Sequence, residues 1–216
     1  MGLLPLERVS HTRTAEENLL MRRAFYLAVL ALFGIAFYQY QPGLDRAPLT
    51  GTASGAEAGD HFSPTENLER LDIEQISRAR HTLDIAMYAF TDRYLAQAVM
   101  EAAHRGVKVR IYRDRSQFEE EQRNADVHHE RSLSDMFHRQ PNVQVRVKDS
   151  NQRNLMHLKA YLVDGALLRD GSANWSPSGL KQQDNNAHFT TDPAQVHAFQ
   201  QAFEEMWSRS RNQVAH

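Results

Sequence analysis

Hydrophobic and polar positions divide the chain into an apolar N-terminal run, a stretch without period, and a series of alternating helical and extended segments. The first run, residues 24–38, reads AFYLAVLALFGIAFY and carries no charge. Arg22 and Arg23 precede it, with Arg8 and Arg13 further back. Extended through Gln39 and Tyr40 it is 17 residues long, the lower limit for a membrane-crossing helix. Tyr26, Tyr38 and Tyr40 suit the membrane interfaces, and the cationic flank predicts that residues 1–23 stay cytoplasmic while the rest is translocated. The pattern therefore predicts a transmembrane anchor over 24–40. A cleaved signal peptide is the rival, disfavoured by the long preceding segment and by the distance to the nearest small-x-small site, Ala56-Glu57-Ala58. A buried core helix is the third reading.

Residues 41–61 are rich in Gly, Ala, Pro, Thr and Ser and read as a flexible tether. The folded domain is expected over residues 62–209, with 210–216 as a tail. Ser63-Pro64-Thr65-Glu66 places an N-cap, a first-turn proline and a capping-box glutamate. Leu68, Leu71, Ile73 and Ile76 continue a helical stripe to about Arg80. Residues 82–90 (TLDIAMYAF) read as a buried strand, and Asp92 to Arg105 as a helix ended by Gly106. Val107, Val109 and Ile111 alternate as a strand does. Phe118 to Arg139 is expected to be one solvated helix packing through Leu133, Met136 and Phe137, stopped by Pro141. Strands follow at Val143, Val145 and Val147, from His157 to Val163, from Ala166 to Leu168 and from Ala187 to Thr190. Asp164-Gly165 is a turn signal. Asp192-Pro193 opens a last helix in which Val196, Phe199, Phe203 and Met206 or Trp207 recur at helical spacing. The pattern predicts an α/β domain, a mixed sheet flanked by helices, behind a transmembrane helix.

A chain of 216 residues, 41% hydrophobic, suffices for one domain with a real core. The net charge of −2 announces no nucleic-acid binder, although a local field depends on where charges sit. Arg110, Arg113, Arg115, Arg146, Lys148 and Arg153 gather at strand ends and before His157, useful to a phosphate-rich polymer and equally an ordinary charged surface. The absence of cysteine excludes disulfides, a thiolate nucleophile and thiolate metal sites. Asp126, His128, His129, Glu130 and His138 show no convincing zinc spacing; adjacent His128 and His129 point apart on a helix.

The candidate chemistry lies between His157 and Asn174. His157 and Lys159 are two apart on a strand and so leave the same face. An ammonium there neutralises a phosphoryl oxygen, and an imidazole nitrogen beside it serves as nucleophile. Beyond the turn, the chain returns and brings Gly171, Ser172 and Asn174 toward the same end of the sheet. Gly171 permits close backbone approach to a ligand, while Ser172 and Asn174 offer a hydroxyl and an amide.

These residues resemble the HKD motif of the phospholipase D superfamily. His157, Lys159 and Asp164 match its His-x-Lys-x4-Asp core, and Gly171, Ser172 and Asn174 match the Gly-Ser-x-Asn that follows. More weakly, the resemblance extends from Phe62 to Arg209. It implies a phosphodiesterase in which His157 forms a phosphohistidine. Lys159 and Asn174, with Ser172, would hold the phosphoryl oxygens, Asp164 would give structural support, and no metal or organic cofactor is required. No internal repeat is present, so the resemblance is to single-motif members, implying a homodimer whose second His157 supplies the acid. These proteins often place a glutamate against the catalytic histidine about a dozen residues later. Here Asn185 takes that position, with Asp184 beside it. The motif leaves the substrate open between nucleic acid, as for an endonuclease acting on DNA or RNA, and phospholipid, as for a phospholipase D. The single-motif resemblance and the basic residues near the site favour the first, which is the expected activity; the anchor favours the second, and the tether, spanning roughly 25 Å as a coil, leaves either accessible. An inactive, anchored nucleic-acid-binding protein is the third reading. The topology implies a bacterial inner-membrane protein with a periplasmic domain; a mitochondrial outer-membrane relative would look similar.

Overall fold

The computed structural model describes residues 58–128, 131–137, 140–149 and 153–215. The expected anchor at 24–40 and nearly all of the tether lie outside the described residues. Among the described residues, no helix is long and apolar enough to cross a membrane.

The elements run β1 (Gly59–Ser63), α1 (Leu68–Arg78), β2 (Thr82–Met87), α2 (Arg93–His104), β3 (Lys108–Arg113), α3 (Arg115–His128), α4 (Leu133–Phe137), β4 (Val143–Val147), β5 (Lys159–Val163), β6 (Leu167–Gly171), α5 (Pro177–Lys181), β7 (Asn185–Thr190), α6 (Pro193–Trp207) and β8 (Gln213–Val214). The strands form one sheet in the order β1-β7-β6-β5-β2-β3-β4-β8. Strands β2, β3 and β4 are parallel, and every other neighbouring pair is antiparallel. The expected mixed sheet with flanking helices is thus present.

Alternation along the central strands builds two cores. Leu83, Ile85 and Met87 of β2, Val109 and Ile111 of β3, and Tyr161 and Val163 of β5 pack with Leu68, Ile76, Leu95 and Val99 of α1 and α2. From the opposite face, Ala86 and Tyr112 meet Phe203, Met206 and Trp207 of α6. Leu162 and Leu168 meet Val196. The stripe expected on the last helix is therefore core.

Local signals explain most boundaries. Asp92 Oδ1 accepts from the backbone of Tyr94 and Leu95, each at 3.0 Å, and Gly106 follows α2 at φ 97°. Asp192 caps α6 in the same way. Four expectations are corrected. Ser63 ends β1 rather than capping a helix; Glu66 turns back to Phe62 N at 3.0 Å, and α1 starts later, capped by Asn67. Strand β1 begins inside the expected tether because its backbone pairs with β7, from Gly59 opposite Phe189 to Ser63 opposite Asn185. The long helix expected from Phe118 is two helices. Ser132 Oγ accepts from Asp135 N at 3.0 Å, and Asp135 Oδ2 from Ser132 N at 3.1 Å, a reciprocal cap that starts α4. Its packing residues Leu133, Met136 and Phe137 do face the core. Strand β8, in the expected tail, pairs with β4.

Candidate active site

The carboxyl ends of β2, β3 and β6 and the amino ends of β5 and β7 share one edge of the sheet. Crevices beyond the carboxyl ends of parallel strands are where α/β folds bind ligands. His157 lies just before β5 and Lys159 opens it, paired with Met87. His157 is exposed; Lys159 is only 8% exposed. Lys159 Nζ lies 3.1 Å from His157 Nδ1 and 3.2 Å from Nε2, and donates to the His157 carbonyl at 2.8 Å. The Tyr88 ring completes the group, 4.5 Å from the imidazole between centroids and 5.0 Å from Nζ. Burial pushes the Lys159 ammonium below its ordinary pKa. Among the described residues no carboxylate pairs with it, so one positive charge is held beside an imidazole without a counter-charge.

Asn174 lies where the chain leaves β6, between Ala173 and Trp175, both fully buried. Among the described residues its Oδ1 is buried without a hydrogen-bond partner, a costly state that calls for a local reason. Ser172 is turned toward β7. Its hydroxyl donates to Asn185 Oδ1 at 2.9 Å and accepts from Asn186 N at 3.0 Å, so it serves a phosphate only by exchanging that first bond. The close approach at Gly171 is to protein: at φ 146°, a Cβ would collide with the Asn186 carbonyl oxygen. Asn185 gives its amide hydrogens to the Gly179 carbonyl at 3.0 Å and to Gln183. Neither Asn185 nor the exposed Asp184 hydrogen-bonds to the His157 ring, so the expected orienting contact is absent among the described residues. The amide is consumed in fixing the loop that carries Ser172 and Asn174.

Asp164 stands at the opposite end of β5, in the β5–β6 turn, with φ 51°. Its carboxylate accepts from the backbone N–H groups of Arg80, His81 and Thr82 at 2.9, 2.7 and 2.8 Å. It therefore locks the β5–β6 hairpin to the start of β2 and touches no reacting group. Burial alone would raise this carboxyl, but the three backbone donors together hold it below its ordinary pKa. A carboxylate with a depressed folded-state pKa contributes stability above its unfolded pKa and loses it as pH falls through the folded value. Asp164→Asn is thus expected to cost about 1–2 kcal/mol at pH 7. The difference from the unsubstituted chain should shrink below about pH 4, as urea melts at pH 7 and pH 3 will show.

Sequence reasoning missed the layer beneath the site. Asp72 and Arg169 are both fully buried. Asp72 accepts from Tyr161 Oη at 3.0 Å and Trp175 Nε1 at 2.9 Å, and Arg169 Nε lies 3.2 Å from its Oδ1. Arg169 in turn donates to the Lys159 carbonyl at 2.8 Å and reaches that of Ala173 at 3.4 Å. One cation thus grips both halves of the motif. Asp114, at the end of β3, accepts from Met156 N at 2.8 Å and positions the residue before His157. The available signal was a lone acid inside the apolar stripe of α1 and a lone arginine among the inward positions of β6.

The expected basic cluster is largely spent. Arg113 is buried against Glu121 at 2.9 Å, and Arg110 pairs with Asp84 at 2.7 Å and Glu204 at 2.6 Å. Arg146 stacks on Trp207, and Arg115 pairs with Asp149 at 3.0 Å. Of the histidine-rich group, His129, Glu130 and His138 lie outside the described residues; among those described, no cluster could hold a metal ion.

A histidine just before β5, the lysine that opens it, an asparagine just beyond β6 and a hairpin aspartate define a member of the phospholipase D superfamily. The profile of its family described as "Cardiolipin synthase, PLD-like domain" matches residues 73–207, and the chain belongs to that family. It is 32% identical over 135 residues to a mitochondrial cardiolipin hydrolase of Chlamydomonas reinhardtii, covering 62% of this chain and 55% of that protein. The Drosophila melanogaster protein of that name is 33% identical over 155 residues, covering 62% of this chain and 56% of its own. The chain thus spans little more than half the length of these relatives. Among solved structures, NucT from Helicobacter pylori has a TM-score of 0.60 at 24% identity, covering 70% of this chain and 95% of that one. Nuc from Salmonella typhimurium, a phospholipase D family member, has a TM-score of 0.58 at 22% identity, covering 71% and 95%. Both share the fold.

Proposed function

We propose that the chain is a phosphodiesterase that works through a phosphohistidine and cleaves nucleic acid. The observation that carries this reading is Lys159, a nearly buried ammonium set against the His157 ring with no carboxylate partner among the described residues. Such a charge is costly to bury alone and is compensated when a phosphoryl oxygen arrives. In the first step a ring nitrogen of His157 forms a bond to phosphorus as the bond to the leaving oxygen breaks. The His157 of a second copy gives that oxygen its proton. Water then attacks phosphorus, the phosphorus–nitrogen bond breaks, and the water's proton goes to the second imidazole. Lys159 and Asn174 hold the non-bridging oxygens, and Lys159 supplies the cationic clamp, so the reaction needs no metal. One His157 per chain calls for a homodimer with a shared site across a two-fold axis. Residues 24–40 would hold the domain on the periplasmic side of an inner membrane, the side opposite Arg22 and Arg23.

Two observations bear on the substrate. Lys148, Arg209 and Arg211 line the groove beside the segment leading into His157, and that excess of positive charge favours a polyanionic strand. The names of the cardiolipin hydrolase relatives favour a phospholipid as the second reading. One panel separates them: the full chain with single-stranded DNA, duplex DNA, RNA and vesicles of cardiolipin or phosphatidylcholine, all in EDTA. Cleavage of nucleic acid alone is expected. Release of phosphatidate or head group alone selects the phospholipid reading, and no turnover of any substrate refutes the enzymatic one.

A further inference from the structure

The segment before His157 borders a groove of about 440 Å³ that the proposed chemistry does not use. It is lined by Lys148, Asp149 and Asn154 on one side and by Arg209, Arg211 and Asn212 of the chain after α6 on the other. Among the described residues of that lining Asp149 is the one carboxylate, flanked by Arg115 at 3.0 Å and Arg211 at 3.7 Å. Asp114, the other acid near Lys148, is fully buried and turned toward Met156 N and Ser116. Positive charge is therefore in excess. Burial and the nearby Arg209 hold the Lys148 ammonium below its ordinary pKa, against the pull of Asp114. Arg211 is 83% exposed.

We infer that this groove binds two neighbouring backbone phosphates of a nucleic-acid strand, the nearer one to a few nucleotides away from the phosphate at His157. The assignment rests on the nucleic-acid reading above. Three features support it. The described lining carries the cations Lys148, Arg209 and Arg211, which suits the charged backbone of a sugar–phosphate chain. Asn154 lies three residues before His157, within about 11 Å even for extended chain, so a strand that reaches one site reaches the other. Lys148 Nζ donates to the carbonyls of Asn154 and Leu155, joining the groove directly to the backbone that enters the catalytic segment.

The test measures anisotropy of a labelled oligothymidylate on the full chain in non-ionic detergent, with His157→Asn present to prevent cleavage. Adding Arg209→Gln and Arg211→Gln should weaken binding roughly 25-fold at 0.1 M salt and make the log–log salt slope shallower by about 1.4, the share of two phosphate contacts on a single strand. Arg209 also interacts with the Tyr112 hydroxyl, so Arg211→Gln alone is the variant that spares the fold; about fivefold and a slope change of about 0.7 are expected. Unchanged affinity and slope in both variants overturn the inference. So does weakened binding of a soluble short-chain phosphatidylglycerol with oligothymidylate unaffected, which would make the groove a lipid head-group site. Failure of the nuclease reading looks different: binding that depends on Arg211, with no cleavage by the chain that retains His157, supports the groove and removes that reading.

Discussion

Replacing His157 by asparagine should lower phosphodiester cleavage by at least about 10⁴-fold, the scale on which removal of a catalytic nucleophile acts, and leave the fold intact. The imidazole is exposed, and its ring contacts are the Tyr88 face and Lys159 Nζ. Neither a core volume nor a buried hydrogen bond is lost, so the stability change should stay within about 0.5 kcal/mol. Asparagine keeps a polar group beside Lys159 but has no nitrogen able to attack phosphorus. The same variant tests the shared site. After subunit exchange in an equal mixture with the unsubstituted chain, a dimer needing both His157 rings retains activity only where both copies are unsubstituted. Activity should then fall to about one quarter of that of the same total of unsubstituted protein, because random pairing leaves that fraction of like dimers. A fall to only one half means that each copy acts alone, and the shared-site reading is wrong. Full activity in the variant by itself would dispose of the phosphohistidine.

The parts legible in sequence were those with a local cause. Alternation at Val107, Val109 and Ile111, the helix from Asp92 ended by Gly106, the start of the last helix at Asp192-Pro193, and the Asp164-Gly165 turn each depend on neighbours a few residues away, and each recurs in the fold. The approach of His157 and Lys159 was legible for a related reason, since residues two apart in extended chain share a face, although β5 begins at Lys159 and not at His157 as expected. Strand β1 was not legible. Gly59 to Ser63 carries little strand propensity and is extended because β7 offers it a partner more than 120 residues away. Asn185 shows the limit of carrying a role across by position. The residue stands where an orienting group was expected, yet its amide is satisfied by Ser172, Gly179 and Gln183. The basic residues mislead in a related way: a run of arginines at strand ends says nothing about which of them meet Glu121, Asp84 or Trp207 in the folded chain.

Asp72→Ala should cost about 3–5 kcal/mol, the penalty for leaving a buried charge without its partner. For a domain of this size that is a fall of roughly 6–20 °C in melting temperature. Asp72 is fully buried, and its carboxylate is where Tyr161, Trp175 and Arg169 converge. Burial pushes this carboxyl up, against the pull of Arg169 first and then of Trp175 and Tyr161. Without it, the Arg169 guanidinium remains in the core among carbonyls alone, while the Trp175 and Tyr161 donors lose their acceptor. Arg169→Met should cost a similar amount for the converse reason. The double change, Asp72→Ala with Arg169→Met, removes both charges and should cost at least about 1 kcal/mol less than the two single costs added. Additive costs in urea melts would show that the two groups do not act as a pair. The double variant also separates stability from catalysis. Arg169 holds the carbonyls of Lys159 and Ala173, so its loss frees the backbone under the ammonium and under Asn174 even in a folded chain. A rise in KM together with a fall in kcat, at a temperature where the variant is fully folded, is expected of a group that sets the spacing between those two ligands of the phosphate. Unaltered kinetics in the folded double variant would make the pair a stability element and nothing more.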